Sequence, residues 1–433
     1  MLKKYEDYKE TQISYLGSLP SHWNILPLRS ILFERKEKNI GKKNNEILSV
    51  MANRGVILYS EKGNVGNKAS DNIERYNVVY EDDIVLNCMN VIIGSVGRSP
   101  YNGVLSPVYY VLVNRNTQTY NTRYYDYVFK LKPLQSELKK YGKGILAHRM
   151  RISMDSLKSL NLPCPPIEEQ NQVVKYLDWK LSKINKLIRA KKKQIALLNE
   201  QKQVIINNAV TKGLDSHAKL KESGISGLGS IPSTWSVKPL KYWAKSNLQS
   251  LNSSTEADFE FDYLDISSVG FGYVKQEPVH YRFDEAPSRA RRVVKYGDTI
   301  ISTVRTYLRS MCFIDHDIEH CIVSTGFSVL SPIEGTVLPE ILSYALSSDY
   351  FVNEVIKNSI GVSYPAINDK KLLSLKVALP SSIEEQLELY NEIKTKTTLL
   401  DKGILSIKQQ VSRLEEYRTR LISDVVTGKV DVR

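Results

Sequence analysis

The side chains able to do chemistry in this chain are scattered. Cys88, Cys164, Cys312 and Cys321 show no CxxC spacing, and six dispersed histidines add no paired ligands, so no zinc site is expected. Gly270 and Gly272 in "VGFGY" form a lone GxG with no helix start behind it, and no GxxxxGK[ST] phosphate loop exists. "CPPIEEQ" holds the only Pro-Pro pair and lacks the Asn/Asp-Pro-Pro-aromatic order that grips a target amino group in methyltransferases. Glu200-Gln-Lys202 spells a nuclease-like acidic-x-Lys pair, but it falls inside a heptad pattern. No Ser/His/Asp or Cys/His set stands out, and the chain is expected to catalyse nothing itself.

What the residues do offer is polyanion recognition. The net charge is +13 over 433 residues, with +9 in residues 1–165, +6 in 166–214, −2 in 215–381 and 0 in 382–433. Basic and amide side chains sit on loop-like stretches. The first half carries Lys42, Lys43, Asn87, Asn90 and Arg98, then "GKGILAHRMR" with Lys143, His148, Arg149 and Arg151. The second half carries "SRARRVVK" with Arg289, Arg291, Arg292 and Lys295, then Arg305 and Arg309, and "GVSYPAIN" with Tyr364 and Asn368. Arginine and asparagine match guanine and adenine edges, while lysine and arginine neutralise phosphates. The "SRARRVVK" cluster is notable because it opposes the net charge of its surroundings.

These loops must be positioned by elements, and the elements are written twice. "LGSLPSHWNILPL" (Leu16 on) returns as "LGSIPSTWSVKPL" (Leu228 on) at an offset of 212. "YKETQISYLG" matches "LKESGISGLG" at the same offset, "YEDDIVLN" matches "KYGDTIIS" with Asp83 over Asp298, and "IEEQ" at Ile167 recurs at Ile383. Each copy runs from a Pro-x-x-Trp lead-in through β-type runs ("DIVLN", "VYYVLV"; "DTIIS", "FSVL") to a helical stretch, Arg123–Tyr141 or Pro339–Asn358. A glycine loop, a leucine-rich run ending at Pro163 or Pro380 and a long helix follow. The implied organisation is a globular domain at 1–165, a helical region at 166–214, a second domain at 215–381 and a second helical region at 382–433.

Both long helices carry an apolar seam of period 3.5 over about six heptads. In the first, the seam positions are Val174, Leu181, Ile188, Ile195, Lys202 and Ala209, with Gln170, Leu177, Ile184, Lys191, Leu198 and Ile205. In the second they are Tyr390, Thr397, Ile404, Val411, Arg418 and Val425, with Gln386, Ile393, Leu400, Ile407, Leu414 and Leu421. Equal register and length favour mutual, antiparallel pairing over two helices packed separately on their own domains. Ser382 and Glu385 spell a capping box, and Gly213 and Gly428 mark the C-terminal ends. The expected fold class is α+β or mixed. Two α/β domains are joined by a pair of long antiparallel helices in an intramolecular coiled coil, with pseudo-twofold, circularly repeated order. The end of the second helix should then return to the chain start. Pro20 and Trp23, with Pro232 and Trp235, are expected to seat each domain against a helix end. The charged N-terminal stretch and the absence of a long apolar run point to no signal peptide, no membrane span and a cytoplasmic setting.

Taken together, the doubled "GSLPSHW"/"GSIPSTW", the "GDTIIS" strand with its degenerate copy "DDIVLN", and "LPCPPIEEQ"/"ALPSSIEEQ" ahead of paired long helices resemble the specificity subunit of type I restriction–modification enzymes, over essentially the whole chain. The first copy departs in lacking the glycine before Asp83. The resemblance implies two target-recognition domains, each reading one half of a split double-stranded DNA site, with the helices as spacer and docking surface. It implies no catalysis on this chain. Two modification (methyltransferase) subunits would carry S-adenosylmethionine, and restriction subunits would use ATP and Mg. A helix from Ile167 to about Val210 would be roughly 66 Å long at ~1.5 Å per residue, which bounds the half-site separation. Diverged domains imply an asymmetric target. The rival reading is a stand-alone DNA-binding or scaffold protein that dimerises through its long helices.

Overall fold

A computed structural model describes residues 3–52, 54–63, 68–143, 151–215, 217–316 and 320–433. The chain forms two compact units, one of Met1–Lys192 with Gln409–Arg433 and one of Lys193–Lys408. Among the described residues no helix is long and apolar enough to cross a membrane.

The first unit is built on an antiparallel four-stranded sheet. Its strands are β1 (Leu32–Arg35), β2 (Ile84–Asn87), β3 (Val96–Arg98) and β4 (Tyr109–Asn114), in the order β1-β4-β2-β3. The second unit repeats it with β5 (Ala244–Ser246), β6 (Thr299–Ser302), β7 (Met311–Phe313) and β8 (Phe327–Pro332), in the order β5-β8-β6-β7. The registers coincide: Ile84 faces Arg98 as Thr299 faces Phe313, so 215 carries both strands of the first hairpin onto the second. Both β2 and β6 are buried along their full length, which accounts for consecutive apolar residues, Ile84–Leu86 and Ile300–Ile301, rather than alternation.

The carboxylate before each central strand is a turn-former. Asp83 accepts the Tyr80 amide at 2.8 Å and Asp298 the Lys295 amide at 3.0 Å. The glycine missing from the first copy is replaced in kind. Gly297 has φ +88°, and Asp82 holds the same left-handed geometry at φ +72°, which Asp tolerates better than most residues.

The units differ in what hangs between these strands. The first carries two separate hairpin-like pairs, Leu48–Met51 with Gly55–Leu58 and Asn77–Val79 with Gly103–Leu105. The second carries a second four-stranded sheet, formed by Glu260–Leu264, Val279–Arg282, Ala290–Val293 and Cys321–Ser324, with its own small core around Phe261, Tyr263 and Ile322.

Each expected helical stretch is two helices. The first unit has α1 (Thr122–Phe129) and α2 (Lys132–Leu138). Beyond the first long helix, α3 (Ile167–Lys212), the second has α4 (Pro339–Leu346) and α5 (Asp349–Lys357). The break follows from capping competition. Leu131 is extended with Pro133 just inside the next helix, and Ser348 is extended ahead of the acidic first turn of α5.

The long helices are α3 (Ile167–Lys212) and α6 (Ile383–Val426). Every seam position read from the sequence is buried or half-buried. In the first unit Asn185 meets Arg418 at 3.1 Å and Lys191 meets Gln410 at 2.6 Å, so numbers rise on α3 as they fall on α6. In the second unit Lys202 pairs with Asp401 at 2.7 Å. The helices are therefore antiparallel partners, and the seam is consumed within the chain. These polar contacts are exposed and contribute little, so burial of the seam holds the pair together.

Candidate nucleic-acid interface

The repeated sequence motifs turn out to be scaffold. The indole Nε1 of Trp23 donates to Glu169 at 2.9 Å, and that of Trp235 to Glu385 at 2.9 Å; both rings are buried. Gln170 accepts the Asn121 amide at 2.8 Å and donates to the carbonyls of Thr119 and Pro165. Gln386 does the same with Leu338, Thr336 and Pro380. The last two letters of "IEEQ" thus lock the lead-in and the helix-approach loop onto the first turn of each long helix. The Ser382–Glu385 capping box is only half formed. Ser382 accepts the Glu385 amide at 3.1 Å, but the Glu385 carboxylate turns to Trp235 and Thr234 instead of reaching back.

The far end of each long helix meets the same lead-in. Tyr8 donates to the Gly428 carbonyl at 3.1 Å, the Asp431 amide donates to Lys3 at 2.8 Å, and Gly428 lies against Pro20 and Trp23. Gly213 lies against Pro232 and Trp235 in the second unit. The circular order expected from the repeat is present within each unit.

On this frame the candidate DNA-contacting residues separate by what their side chains already do. Lys42 and Lys43 are exposed on a turn closed by the Lys42 amide to Asn39. Asn87 is buried, with its carbonyl oxygen accepting the Met89 amide at 3.0 Å. Asn90 opens a 3-10 turn, Val91–Ile93, without capping it. Arg98 is ion-paired with Asp82. Lys143 lies in a two-residue strand, Gly142–Lys143, paired with Arg151–Ile152. Arg151 is exposed, and its guanidinium is held above its ordinary range chiefly by Cys88, with Tyr110 contributing. His148 and Arg149 lie outside the described residues.

In the second unit Arg289 is exposed, and Arg291 lies over the Phe283 ring at 4.6 Å. Arg292 is largely covered and sits 3.6 Å from Asp369. Lys295 is exposed at the Asp298 turn. Arg305 stacks on Tyr364 at 4.4 Å, and Tyr364 is 60% exposed. Arg309 reaches Asp349 and Asn353, each at 3.5 Å, with its guanidinium over Phe271. Asn368 caps a short helix, Asp369–Ser374, by accepting the Lys371 amide at 2.8 Å, just as Ser153 caps Met154–Lys158 in the first unit.

The structure gathers part of this set into one place in each unit. The turn after the central strand is stitched to the glycine loop: the Ile152 amide donates to Cys88 at 3.0 Å, and the Ile367 amide to Thr303 at 2.9 Å. In the second unit the Arg305 amide also donates to Pro365 at 2.7 Å, and Ile360 and Ala366 exchange two bonds. Arg305, Tyr364 and the exposed Tyr307 and Leu308 therefore share one rigid loop cluster. Tyr307 and Leu308 were not singled out from the sequence. Little in the sequence marks them: a shift of 215 places them over Ile92 and Ile93, so apolar residues stand there in both copies, and a lone exposed tyrosine is common.

A cleft of about 430 Å3 in the first unit was also missed. Its wall includes Arg54, Arg123, Lys130, Lys132 and Arg418, brought together from distant positions. Arg123 is paired with Asp178 at 2.8 Å and Lys130 with Asp126 at 2.6 Å, so much of this charge is already neutralised. Among the described residues no group of three or more His, Cys, Asp or Glu could hold a metal.

A family model of the type I restriction modification DNA specificity domain matches residues 20–197. The chain is 28% identical over 370 residues to the type I restriction enzyme MjaVIII specificity subunit of Methanocaldococcus jannaschii, covering 82% of this chain and 81% of that protein. It is 26% identical over 446 residues to the putative MjaX specificity subunit of the same organism, covering 99% and 98%. A chain of a solved type I R-M system, described for its complex assembly and conformational transition, covers 94% of this chain and 98% of its own with a TM-score of 0.62 at 16% identity, a likeness of fold. With the doubled domain order and the self-paired helices, these relations make the chain similar along its whole length to the specificity subunits of type I restriction–modification systems.

Proposed function

We propose that the chain is the DNA-reading subunit of its restriction–modification complex, and that its two domains each read one half of an asymmetric, split double-stranded site. The observation that carries this is the pairing of an invariant frame with divergent inserts. The sheets, the Trp–Glu locks and the Gln locks are the same in both units, while the segments between the strands differ in topology. An identical frame delivers equivalent loops, and different loops read different bases. The rival scaffold that dimerises through exposed helices loses its basis, because the helical seam is already buried by intramolecular pairing.

In this reading two modification subunits supply the methyltransferase chemistry and S-adenosylmethionine, and restriction subunits supply ATP- and Mg-dependent cleavage. Methylation of a base requires extruding it into the partner's pocket, so this chain holds the flanking duplex in register. The test is to purify the chain with its modification subunit and map methylated positions on random-sequence DNA. Two short motifs separated by a fixed unspecified gap are expected. A continuous motif, or methylation without sequence preference, would overturn the reading.

A further inference from the structure

The shared register of the two central hairpins equates individual residues. A shift of 215 places Asn87 on Ser302, Asn90 on Arg305 and Gly94 on Arg309. The backbone agrees at each end: the Asn87 amide donates to Ser95 as the Ser302 amide does to Ser310. Asn90 and Arg305 both stand immediately before the 3-10 turn, Val91–Ile93 in one unit and Thr306–Leu308 in the other. They correspond in chain order on the two hairpins, an amide in the first domain and a guanidinium in the second, with Asn90 at φ −124° and Arg305 at φ +50°.

Most neighbouring polar side chains are already engaged. Arg292 is covered beside Asp369 at 3.6 Å without a hydrogen bond to it, and Asn87, Arg98, Arg309 and Asn368 each satisfy a turn, a carboxylate or a helix end. Asn90 and Arg305 do not. The side-chain amide of Asn90 finds no hydrogen-bond partner among the described residues, although the residue is half-buried and its backbone N–H donates to Asn87. Arg305 has no acidic partner among them, and stacking on Tyr364 fixes the guanidinium plane while leaving its N–H edges unspent. Its backbone is held in the left-handed region at φ +50°, a geometry costly for a non-glycine residue and maintained by the bond from its amide to Pro365.

We infer that Asn90 and Arg305 are the corresponding base-reading side chains of the two domains, Asn90 for an adenine and Arg305 for a guanine. An asparagine amide presents the donor and acceptor that match adenine N7 and N6, and an arginine fork presents the two donors that match guanine O6 and N7. Tyr364 is the positioning residue for the second contact. This assignment rests on the proposed DNA-reading function.

The test is methylation mapping of the complete complex on a randomised duplex library, with wild type beside Asn90→Ala, Arg305→Ala, Arg305→Lys and Tyr364→Leu. Arg305→Lys keeps the charge and loses the fork. It should relax the preference for guanine at one position of one half-site by roughly ten-fold or more and leave every other position unchanged. Asn90→Ala should do the same at one adenine of the other half-site. Tyr364→Leu should weaken discrimination at the Arg305 position alone, with Tyr364→Phe restoring it. A uniform loss across all sequences with a shallower salt dependence would make Arg305 a phosphate contact and overturn the assignment. Unchanged preference in both Arg305→Lys and Asn90→Ala would overturn it as well. Failure of wild type to show any split motif would instead sink the function on which it rests.

Discussion

At the residue scale, equivalent positions in the two units are not equally supported, and the carboxylates at the strand entrances show the consequence. Asp83 receives the Arg35 guanidinium at 3.1 and 3.2 Å, whereas Asp298 has no such cation and keeps one oxygen buried without a partner among the described residues. Burial accordingly raises the Asp298 carboxyl above the usual carboxylate range. A raised folded-state value means that the native state binds the proton more tightly than the unfolded chain. Asp298 therefore favours folding most below the unfolded carboxylate value, and this contribution is lost as pH rises through the folded one. Asp298→Asn should flatten that part of the profile. Urea midpoints between pH 4 and 7 for both proteins would show wild type losing stability relative to the variant as pH increases.

At the element scale, the ends of both long helices are packed closely against the lead-in prolines. Gly428 follows α6 at φ +68°, and a Cβ there would stand 2.4 Å from Pro20. Gly213 follows α3 at φ +73°, with the nearest Pro232 atom at 2.9 Å. Gly428→Ala should cost roughly 2 kcal/mol or more from backbone strain and overpacking together, and Gly213→Ala less. Thermal or urea unfolding of the two variants would rank them, and equal effects would contradict the packing. The helices themselves act as a matched pair. Removing one heptad from both, at matched positions, should preserve the antiparallel seam and both half-site sequences while shifting or abolishing the tolerated gap between them. Removing it from one alone should destabilise the chain, because the apolar rows no longer oppose each other. Methylation mapping reads the first outcome and denaturation the second.

At the scale of the whole molecule, the charge is distributed unequally between the two readers. Residues 1–165 carry +9 and residues 215–381 carry −2. Binding that neutralises more phosphates releases more counterions, so the first domain should show the steeper loss of affinity with salt. Duplexes retaining only one half-site, titrated with the complete complex from about 50 to 200 mM salt, would resolve the two slopes. Equal slopes would mean that the excess charge of the first domain faces away from DNA.

The sequence by itself determined the duplication, the order of elements and the helix seam. Each of these is a periodicity or an offset, and burial selects residue type along a regular element whatever surrounds it. It also marked Trp23 and Trp235 as anchors. Only the tertiary structure decided that "IEEQ" is a lock, because the hydrogen-bond partners of Glu169 and Gln170 lie up to 164 residues away in the chain. It decided too that each helical stretch is broken in two, through local competition for helix ends. Most of all, it sorted the candidate interface. Arg98, Arg292 and Arg305 read alike in the sequence, yet two are paired with carboxylates and one stands free on an aromatic ring. That difference is set by which side chains the fold places within a few ångströms, and neither composition nor spacing along the chain encodes it.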